Sequence, residues 1–186
     1  MNTDTTLQIS LESVEQTTVL ATKLAANIKG GEVIEFVSDL GGGKTTFIRS
    51  LVQALGSHDH VTSPTFTVSK QYSAGTMAVY HFDFYRLSDP GVVADMLTEN
   101  LHNAEVLTLI EWGGAVKDVL PQDMLVIDIA KDKKKKKTRH FTFKAKKANE
   151  SEINVEMKGV PDRDIFDKTI EEENIKAGFT SQIFDN

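Results

Sequence analysis

Residues 38–46 form the sequence SDLGGGKTT, and this stretch decides the fold. A short apolar run at 33–37 precedes it, and an amphipathic segment at 46–55 follows it. A strand, a glycine-rich loop and a helix in this order match the phosphate-binding pattern G-x-x-x-x-G-K-S/T. Ser38 replaces the first glycine, and serine would cost about 1 kcal/mol there if the position required a left-handed backbone. The sequence therefore predicts a phosphate-binding loop that, if its first position needs a left-handed backbone, is either slightly strained or repositioned there.

The residue types of this loop suit a nucleoside triphosphate. Gly41, Gly42 and Gly43 allow backbone N–H groups to approach phosphate oxygens without interference from side chains. The helix that follows adds its positive N-terminal end. We expect the Lys44 ammonium to contact the β- and γ-phosphates and the Thr45 hydroxyl to bind Mg²⁺. The alternative is a glycine-rich turn with an exposed lysine.

Helical and strand patterns alternate over the rest of the first 147 residues, which predicts an α/β domain. The strands at 65–73 and 76–85 are expected to form a hairpin around Ala74-Gly75. We expect helices at 13–28, 46–55 and 88–102, and strands at 33–37, 65–73, 76–85, 106–112, 125–130 and 139–145.

Composition divides the 186 residues into a domain at 1–147 and a tail at 148–186. Residues 151–186 carry nine acids and four bases, a net charge of −5, and show no sustained periodicity. We therefore expect an acidic, disordered tail, with a short docked helix as the alternative. The net charge of −6 for the whole chain argues against a protein that coats nucleic acid by bulk charge.

Several classes of protein are excluded by what the sequence lacks. It contains no cysteine, which excludes disulfides, thiolate catalysis and cysteine zinc sites. It has no apolar run of about 18 residues, so we expect no membrane span. The first residues lack the basic and apolar regions of a secretion signal, so we expect a cytoplasmic protein.

Two acids at strand ends are candidates for the chemistry of a nucleotide hydrolase. Such an enzyme needs a carboxylate near Mg²⁺ and a group that orients the attacking water. Glu111 follows the apolar run VLTLI, and Asp83 lies near the end of another strand, where α/β sheets bind their ligands. The alternative is that each acid only marks a strand leaving the core. We expect His81 to lie on the opposite strand face from Asp83 and to be structural.

Two further segments allow two interpretations each. Residues 62–65, TSPT, form either a mobile switch that senses the γ-phosphate or a simple loop. The run KDKKKKKTR at 131–139 is expected to be a solvated hairpin turn, with contact to RNA or to an acidic partner as the alternative.

Four motifs occur in order along the chain: DLGGGKTTF at 39–47, VTSPTFTV at 61–68, YHFDFYRL at 80–87 and IEWG at 110–113. Their combination resembles the TsaE (YjeE-type) family, the ATPases of bacterial tRNA threonylcarbamoyladenosine synthesis. The resemblance implies a P-loop NTPase-like α/β fold with a mixed sheet flanked by helices. It also implies ATP hydrolysis with Mg²⁺ that resets a complex with TsaD and TsaB, and contact with tRNA only through that complex.

The resemblance also implies roles for single residues. Glu111 corresponds to the second Mg²⁺ ligand beside Thr45, and Asp83 to an acid near the γ-phosphate. With Lys44, these acids form the expected catalytic set. The residues expected to contact the nucleotide, from the loop pattern and the resemblance together, are Thr18, Gly41, Gly42, Gly43, Lys44, Thr45, Thr46, Asp83 and Arg139.

Three rival functions share the phosphate loop. A small-molecule kinase would need arginines in a lid, and Arg86 is the only arginine between residues 56 and 120. A GTPase would need an N-K-x-D motif, which the sequence lacks. A nucleotide-gated adaptor, which binds ATP and hydrolyses it negligibly, stays open at this stage.

Overall fold

The computed structural model describes residues 5–87, 91–101 and 103–145. The predicted tail at 148–186 lies outside the described residues, and its disorder stays a prediction. The strands are β1 (Thr5–Leu11), β2 (Val33–Val37), β3 (Ser69–Ala74), β4 (Met77–Asp83), β5 (Val106–Glu111), β6 (Leu125–Lys131) and β7 (Arg139–Ala145). The helices are α1 (Val14–Ala25), α2 (Lys44–Ala54), α3 (Gly91–Leu101) and a 3₁₀ turn at Gly113–Val116.

The described strands form one seven-stranded sheet in the order β1-β7-β6-β2-β5-β4-β3. The central strands β6, β2, β5 and β4 are mutually parallel, whereas β1, β7 and β3 pair antiparallel with their neighbours. The mixed sheet flanked by helices confirms the predicted P-loop NTPase-like fold.

Helices α1 and α2 pack together on one face of the sheet, where the larger core cluster lies. Phe47 of α2 is fully buried between Phe36 and Phe141, with ring centroids 5.7 and 5.5 Å away. Burial of one such ring contributes roughly 1.5–3 kcal/mol, so α2 is anchored through its apolar side rather than through the loop before it. On the other face, α3 buries Leu97 against a smaller cluster with Phe82 and Phe84. No helix of the described part is both long and apolar enough to cross a bilayer.

The observed strands differ from the predicted ones in two places. The strand expected at 65–73 begins only at Ser69, because Thr67 and Val68 instead donate their backbone N–H groups to the Pro64 carbonyl and close a turn. The first strand, β1, was not expected at all. Its apolar residues Leu7, Ile9 and Leu11 alternate with polar ones, which is the signal of a half-buried strand.

The sheet brings the phosphate loop and the two strand-end acids to one edge. The loop follows β2, and Asp83 and Glu111 are the last residues of β4 and β5. Since all three strands are parallel, their carboxyl ends meet at the same edge. Asp83 pairs with Glu111 in the register of β4 and β5, and Phe36 of β2 pairs with Glu111 on its other side. The acids therefore lie side by side, next to the loop.

Candidate functional site

A cavity of about 200 Å³ lies at this edge of the sheet. It is smaller than the roughly 300–1,000 Å³ of most ligand pockets, so it suits phosphate groups and a metal rather than a whole nucleotide. Eight of the ten residues that the sequence predicts for the site line it: Gly41, Gly42, Gly43, Lys44, Thr45, Thr46, Asp83 and Glu111. Thr18 and Arg139 lie outside this lining.

The phosphate loop presents the start of α2 to the cavity. Gly43 is the N-cap residue of α2, and its φ of 118° is one that side chains with a Cβ rarely adopt. No atom lies within 4 Å of a Cβ built there, so the backbone conformation, not lack of space, requires glycine. Within the described part of the chain, no side-chain hydrogen bond caps the N-terminus of α2. The first N–H groups of the helix are thus left for an anion.

Ser38 fits the loop without the expected strain. Among the described non-glycine residues, positive φ occurs only at Val68 and Trp112, so Ser38 lacks the left-handed backbone on which strain there depends. The Ser38 hydroxyl occupies the space beside Gly42, where an added Cβ would approach its Oγ to 1.6 Å. The serine therefore fills the inner side of the loop, and a side chain at position 42 would collide with it.

Lys44 is a buried cation at the base of the cavity. Its side chain is only 6% exposed, and Nζ donates to the Ser38 carbonyl at 3.2 Å. Nζ also lies 3.8 Å from Glu111 Oε2 and 4.6 Å from the centroid of the Trp112 ring. A buried ammonium is costly unless it has such partners. The carbonyl, the carboxylate and the ring together hold the charge at the place where phosphates would lie.

Asp83 is held by three donors. It is 2% exposed, and its Oδ2 accepts from Ser63 Oγ at 3.0 Å and from Thr65 Oγ1 at 2.5 Å. Its Oδ1 accepts from the Tyr85 backbone N–H at 3.0 Å. Both hydroxyls come from the TSPT segment, so this segment is fastened to the acid at the end of β4. A carboxylate fixed in this way can orient a neighbouring group without rotating.

The segment at 62–68 carries local backbone strain. Val68 has φ of 65°, which is a genuine outlier for a β-branched residue. Its carbonyl accepts from the Asp83 N–H at 2.9 Å, and its own N–H donates to the Pro64 carbonyl at 2.6 Å. Strained residues persist only where surrounding bonds over-determine them, and they cluster in switch regions. The geometry is compatible with a switch, and mobility of the segment stays a prediction.

Glu111 has a different set of partners. It is 3% exposed, with Oε2 facing Lys44 and Oε1 accepting a hydrogen bond of 3.0 Å from His81 Nε2. The prediction that His81 faces away from Asp83 is wrong, because residues two apart on a strand point to the same face. His81, Asp83 and Glu111 thus share one face of the sheet. The two-residue period of a strand, applied from Asp83 back along β4, places His81 on the same face.

Arg139 contacts the phosphate loop from outside the cavity. Its Nε donates to the Gly42 carbonyl at 3.0 Å, and Lys131 Nζ donates to the Leu40 carbonyl at 3.1 Å. These two cations, at the two ends of the β6–β7 turn, bind carbonyls of the loop. The structure thus places Arg139 where it orients the loop, and its direct contact with a nucleotide stays a prediction.

Thr18 lies on α1 and faces α2. Its hydroxyl donates to the Val14 carbonyl at 3.1 Å and lies 3.1 Å from the hydroxyl of Ser50. The first bond lies within α1, and the contact with Ser50 links the two helices. Thr18 does not line the cavity, so its contact with the nucleotide stays a prediction.

Trp112 and Tyr85 complete the cavity, although the sequence assigned neither to it. Trp112 directly follows Glu111 with φ of 60°, and this turn brings its ring over Lys44. The Tyr85 ring lies 4.9 Å from the Trp112 ring, centroid to centroid. An aromatic residue directly after a strand-end acid was the available signal. The two rings form one wall of the cavity, and the Trp112 ring covers Lys44.

The lysine run forms the β6–β7 turn, as the solvated-turn interpretation expects. Lys133, Lys134, Lys136 and Lys137 are exposed. The backbone N–H groups of Lys135 and Lys134, together with His140, lower the pKa of Asp132 to about 2. Stability that this carboxylate gives the turn is therefore present above the ordinary carboxyl pKa of about 3.9 and lost as the pH falls towards 2.

The chain combines a strand, a glycine loop, a buried lysine and a helix with two acids at neighbouring strand ends. This combination defines a P-loop NTPase-like α/β protein. The sequence model of the family described as "Threonylcarbamoyl adenosine biosynthesis protein TsaE" matches residues 11–141. The chain therefore belongs to the TsaE family.

Individual relatives agree with this assignment. The chain is 37% identical over 115 residues to the tRNA threonylcarbamoyladenosine biosynthesis protein TsaE of Bacillus subtilis, covering 62% of this chain and 72% of that protein. It is 31% identical over 146 residues to the TsaE protein of Rickettsia conorii, covering 77% and 83%. The crystal structure of Bacillus subtilis YdiB superposes with a TM-score of 0.64 at 32% identity, covering 79% of this chain and 90% of that one.

Proposed function

We propose that the chain is a Mg²⁺-dependent ATPase that acts with TsaD and TsaB in the formation of N6-threonylcarbamoyladenosine in tRNA. One observation carries the proposal: a glycine loop with a buried lysine meets two buried acids in one cavity. Phosphoryl transfer to water depends on positioning and on charge stabilisation rather than on covalent chemistry, and these groups supply both.

The residues present fit a metal-bound triphosphate. Mg²⁺ prefers oxygen ligands and in nucleotide sites uses one or two carboxylates together with phosphates and waters. The Thr45 hydroxyl and the Glu111 carboxylate are such ligands, and both line the cavity. When bound, Mg²⁺ would neutralise charge on the phosphates. Lys44 would hold the β- and γ-phosphates, and the N–H groups of α2 would bind their oxygens.

Asp83 is proposed to orient the attacking water or the 62–68 segment. Its two oxygens are fixed by Ser63, Thr65 and the Tyr85 N–H, so its position does not depend on a ligand. Phosphate bound beside it would compete for the same hydroxyls. This competition would couple the nucleotide state to the segment and, through it, to a partner.

The biological setting comes from the family. The relatives in Bacillus subtilis and Rickettsia conorii carry the name of tRNA threonylcarbamoyladenosine biosynthesis proteins. We propose that this chain serves the same pathway in the cytoplasm, with hydrolysis resetting the TsaD–TsaB complex between turnovers and with tRNA reached only through that complex.

A second candidate is a nucleotide-gated adaptor that binds ATP and hardly hydrolyses it. The observation that favours it is that the hydroxyls of Ser63 and Thr65 already engage Asp83. A carboxylate bound by these two hydroxyls suits a conformational switch as well as it suits ATP hydrolysis. Turnover in the presence of TsaD and TsaB distinguishes the two functions.

Nucleotide binding provides the first test. Trp112, the only tryptophan of the chain, lies over Lys44, so its fluorescence should respond to phosphates in the cavity. We expect ADP and ATP with Mg²⁺ to change the emission and to bind at least about tenfold more tightly than GDP and GTP, a difference of about 1.4 kcal/mol.

Calorimetric titration of the same nucleotides is the control, because it does not depend on the probe. Tighter binding of the guanine nucleotides would contradict the proposed ATPase. Absence of binding of any nucleotide in both measurements would contradict a nucleotide site altogether.

A further inference from the structure

We infer that His81 is a positioning residue that fixes the Glu111 carboxylate for metal binding, an inference that rests on the function proposed above. His81 Nε2–H donates to Glu111 Oε1 at 3.0 Å, and both side chains are almost completely buried. Oε2 of the same carboxylate faces Lys44 at 3.8 Å. The histidine binds one oxygen and leaves the other directed to the cavity.

Packing alone does not explain a histidine at this position. His81 is fully buried, and its Nδ1 has no hydrogen-bond partner among the described residues. A buried polar atom without a partner lowers stability, and an apolar side chain like that of the neighbouring Val79 would avoid this cost. The ring packs against Tyr72 with centroids 6.4 Å apart, a contact that needs no nitrogen atom. The imidazole nitrogens therefore lower stability at Nδ1 and gain the bond to Glu111 at Nε2.

Loss of this bond would change what Glu111 does. Its carboxylate would then be free to rotate, and the nearest cation is Lys44, 3.8 Å away. Closer pairing with Lys44 would neutralise the lysine and withdraw an oxygen from the metal. His81 thus holds the carboxylate at 3.8 Å from the lysine, beyond direct hydrogen-bond distance, so that each can bind its own part of a metal–nucleotide complex. Hydrogen bonds to a ligating carboxylate typically contribute 10–100-fold in metal affinity.

The effect should be confined to Glu111. Asp83 lies two residues from His81 on the same strand face, but its oxygens are already bound by Ser63, Thr65 and the Tyr85 N–H. Replacement of His81 should therefore leave Asp83 in place, and the phosphate loop is anchored separately through Lys131 and Arg139. Binding of metal-free nucleotide should change little.

The test compares two amides that differ by one methylene group. The side-chain nitrogen of His81→Gln can reach the position of Nε2, whereas that of His81→Asn stops near the position of Nδ1. Binding of ADP is measured by calorimetry, first without Mg²⁺ and then at saturating ADP over a Mg²⁺ titration. Thermal melting is followed in parallel, and no step requires turnover.

We expect His81→Asn to raise the half-saturating Mg²⁺ concentration about 10–100-fold. His81→Gln should stay within about threefold of the wild type, and both variants should keep the metal-free ADP affinity. Equal Mg²⁺ responses of the two variants would overturn the inference, as would a loss of metal-free affinity that matches the loss with Mg²⁺. Absence of Mg²⁺-dependent ADP binding in the wild type would instead contradict the proposed ATPase.

Discussion

Replacement of Lys44 by alanine is expected to weaken ATP binding about 100-fold and to abolish turnover. The Nζ atom is buried beside Glu111 Oε2 and under the Trp112 ring. Water that fills its place in the variant would supply no positive charge to bind the phosphates. A hydrogen bond to a charged group contributes about 1.5–3 kcal/mol, and the upper part of this range corresponds to about 100-fold in affinity. The fold should survive, because α2 is anchored by buried side chains such as Phe47.

Calorimetry is the measurement of choice for this variant, since the Trp112 emission itself depends on Lys44. Lys131→Ala is the matched control, because Lys131 is an exposed cation that donates to the Leu40 carbonyl of the loop and does not line the cavity. It should lose less than about tenfold, the equivalent of one weaker hydrogen bond. A folded Lys44→Ala variant that binds and hydrolyses ATP like the wild type would show that Lys44 is not part of the nucleotide site.

Asp83→Asn is expected to lower turnover about 10²–10³-fold and to change ATP affinity less than about threefold. The amide keeps the size of the side chain and can still accept the Tyr85 N–H. It loses the charge and Oδ2, the single oxygen that accepts from both Ser63 and Thr65. Because Asp83 is proposed to act on the water or on the segment, and not on the phosphates directly, rate should suffer more than binding.

Single-turnover and steady-state rates with TsaD and TsaB present measure this effect. Asp95→Asn serves as the control, since Asp95 is an exposed acid on α3 outside the cavity. Wild-type turnover of Asp83→Asn would contradict the assigned role. Equal losses in affinity and rate would assign Asp83 to nucleotide binding instead.

The fold was predictable because its decisive signals are local. An apolar strand, a glycine loop and an amphipathic helix follow one another within residues 33–55, and each is set by neighbours in sequence. The strand β1 was missed although its alternation was visible, because a short strand gains its stability from pairing with β7, more than 120 residues away.

The chemistry of the site was predictable only in part. Asp83 and Glu111 were recognisable as acids at strand ends, but their adjacency depends on the order of β4 and β5 in the sheet. The bonds from Ser63 and Thr65 to Asp83 arise from the fold of a loop 18 to 20 residues upstream. The periodicity of apolar residues along the sequence does not indicate such contacts.

The remaining contacts join residues that are far apart in the chain. Arg139 and Gly42 are separated by 97 positions, and their hydrogen bond exists only because β7 and the phosphate loop meet at one sheet edge. His81 is different, since the two-residue period of a strand places it beside Asp83. The sequence therefore contained the information that His81 and Asp83 share a strand face, but the prediction placed His81 on the opposite face.

The central claim is tested most directly by phosphate release from ATP by the full chain with Mg²⁺, TsaD and TsaB. The account predicts turnover that requires Mg²⁺, rises when the two partners are added and is absent in the Lys44→Ala variant under the same conditions. Release that is equal in the wild type and in Lys44→Ala, while the wild type binds ATP, would contradict an ATPase and leave the nucleotide-gated adaptor.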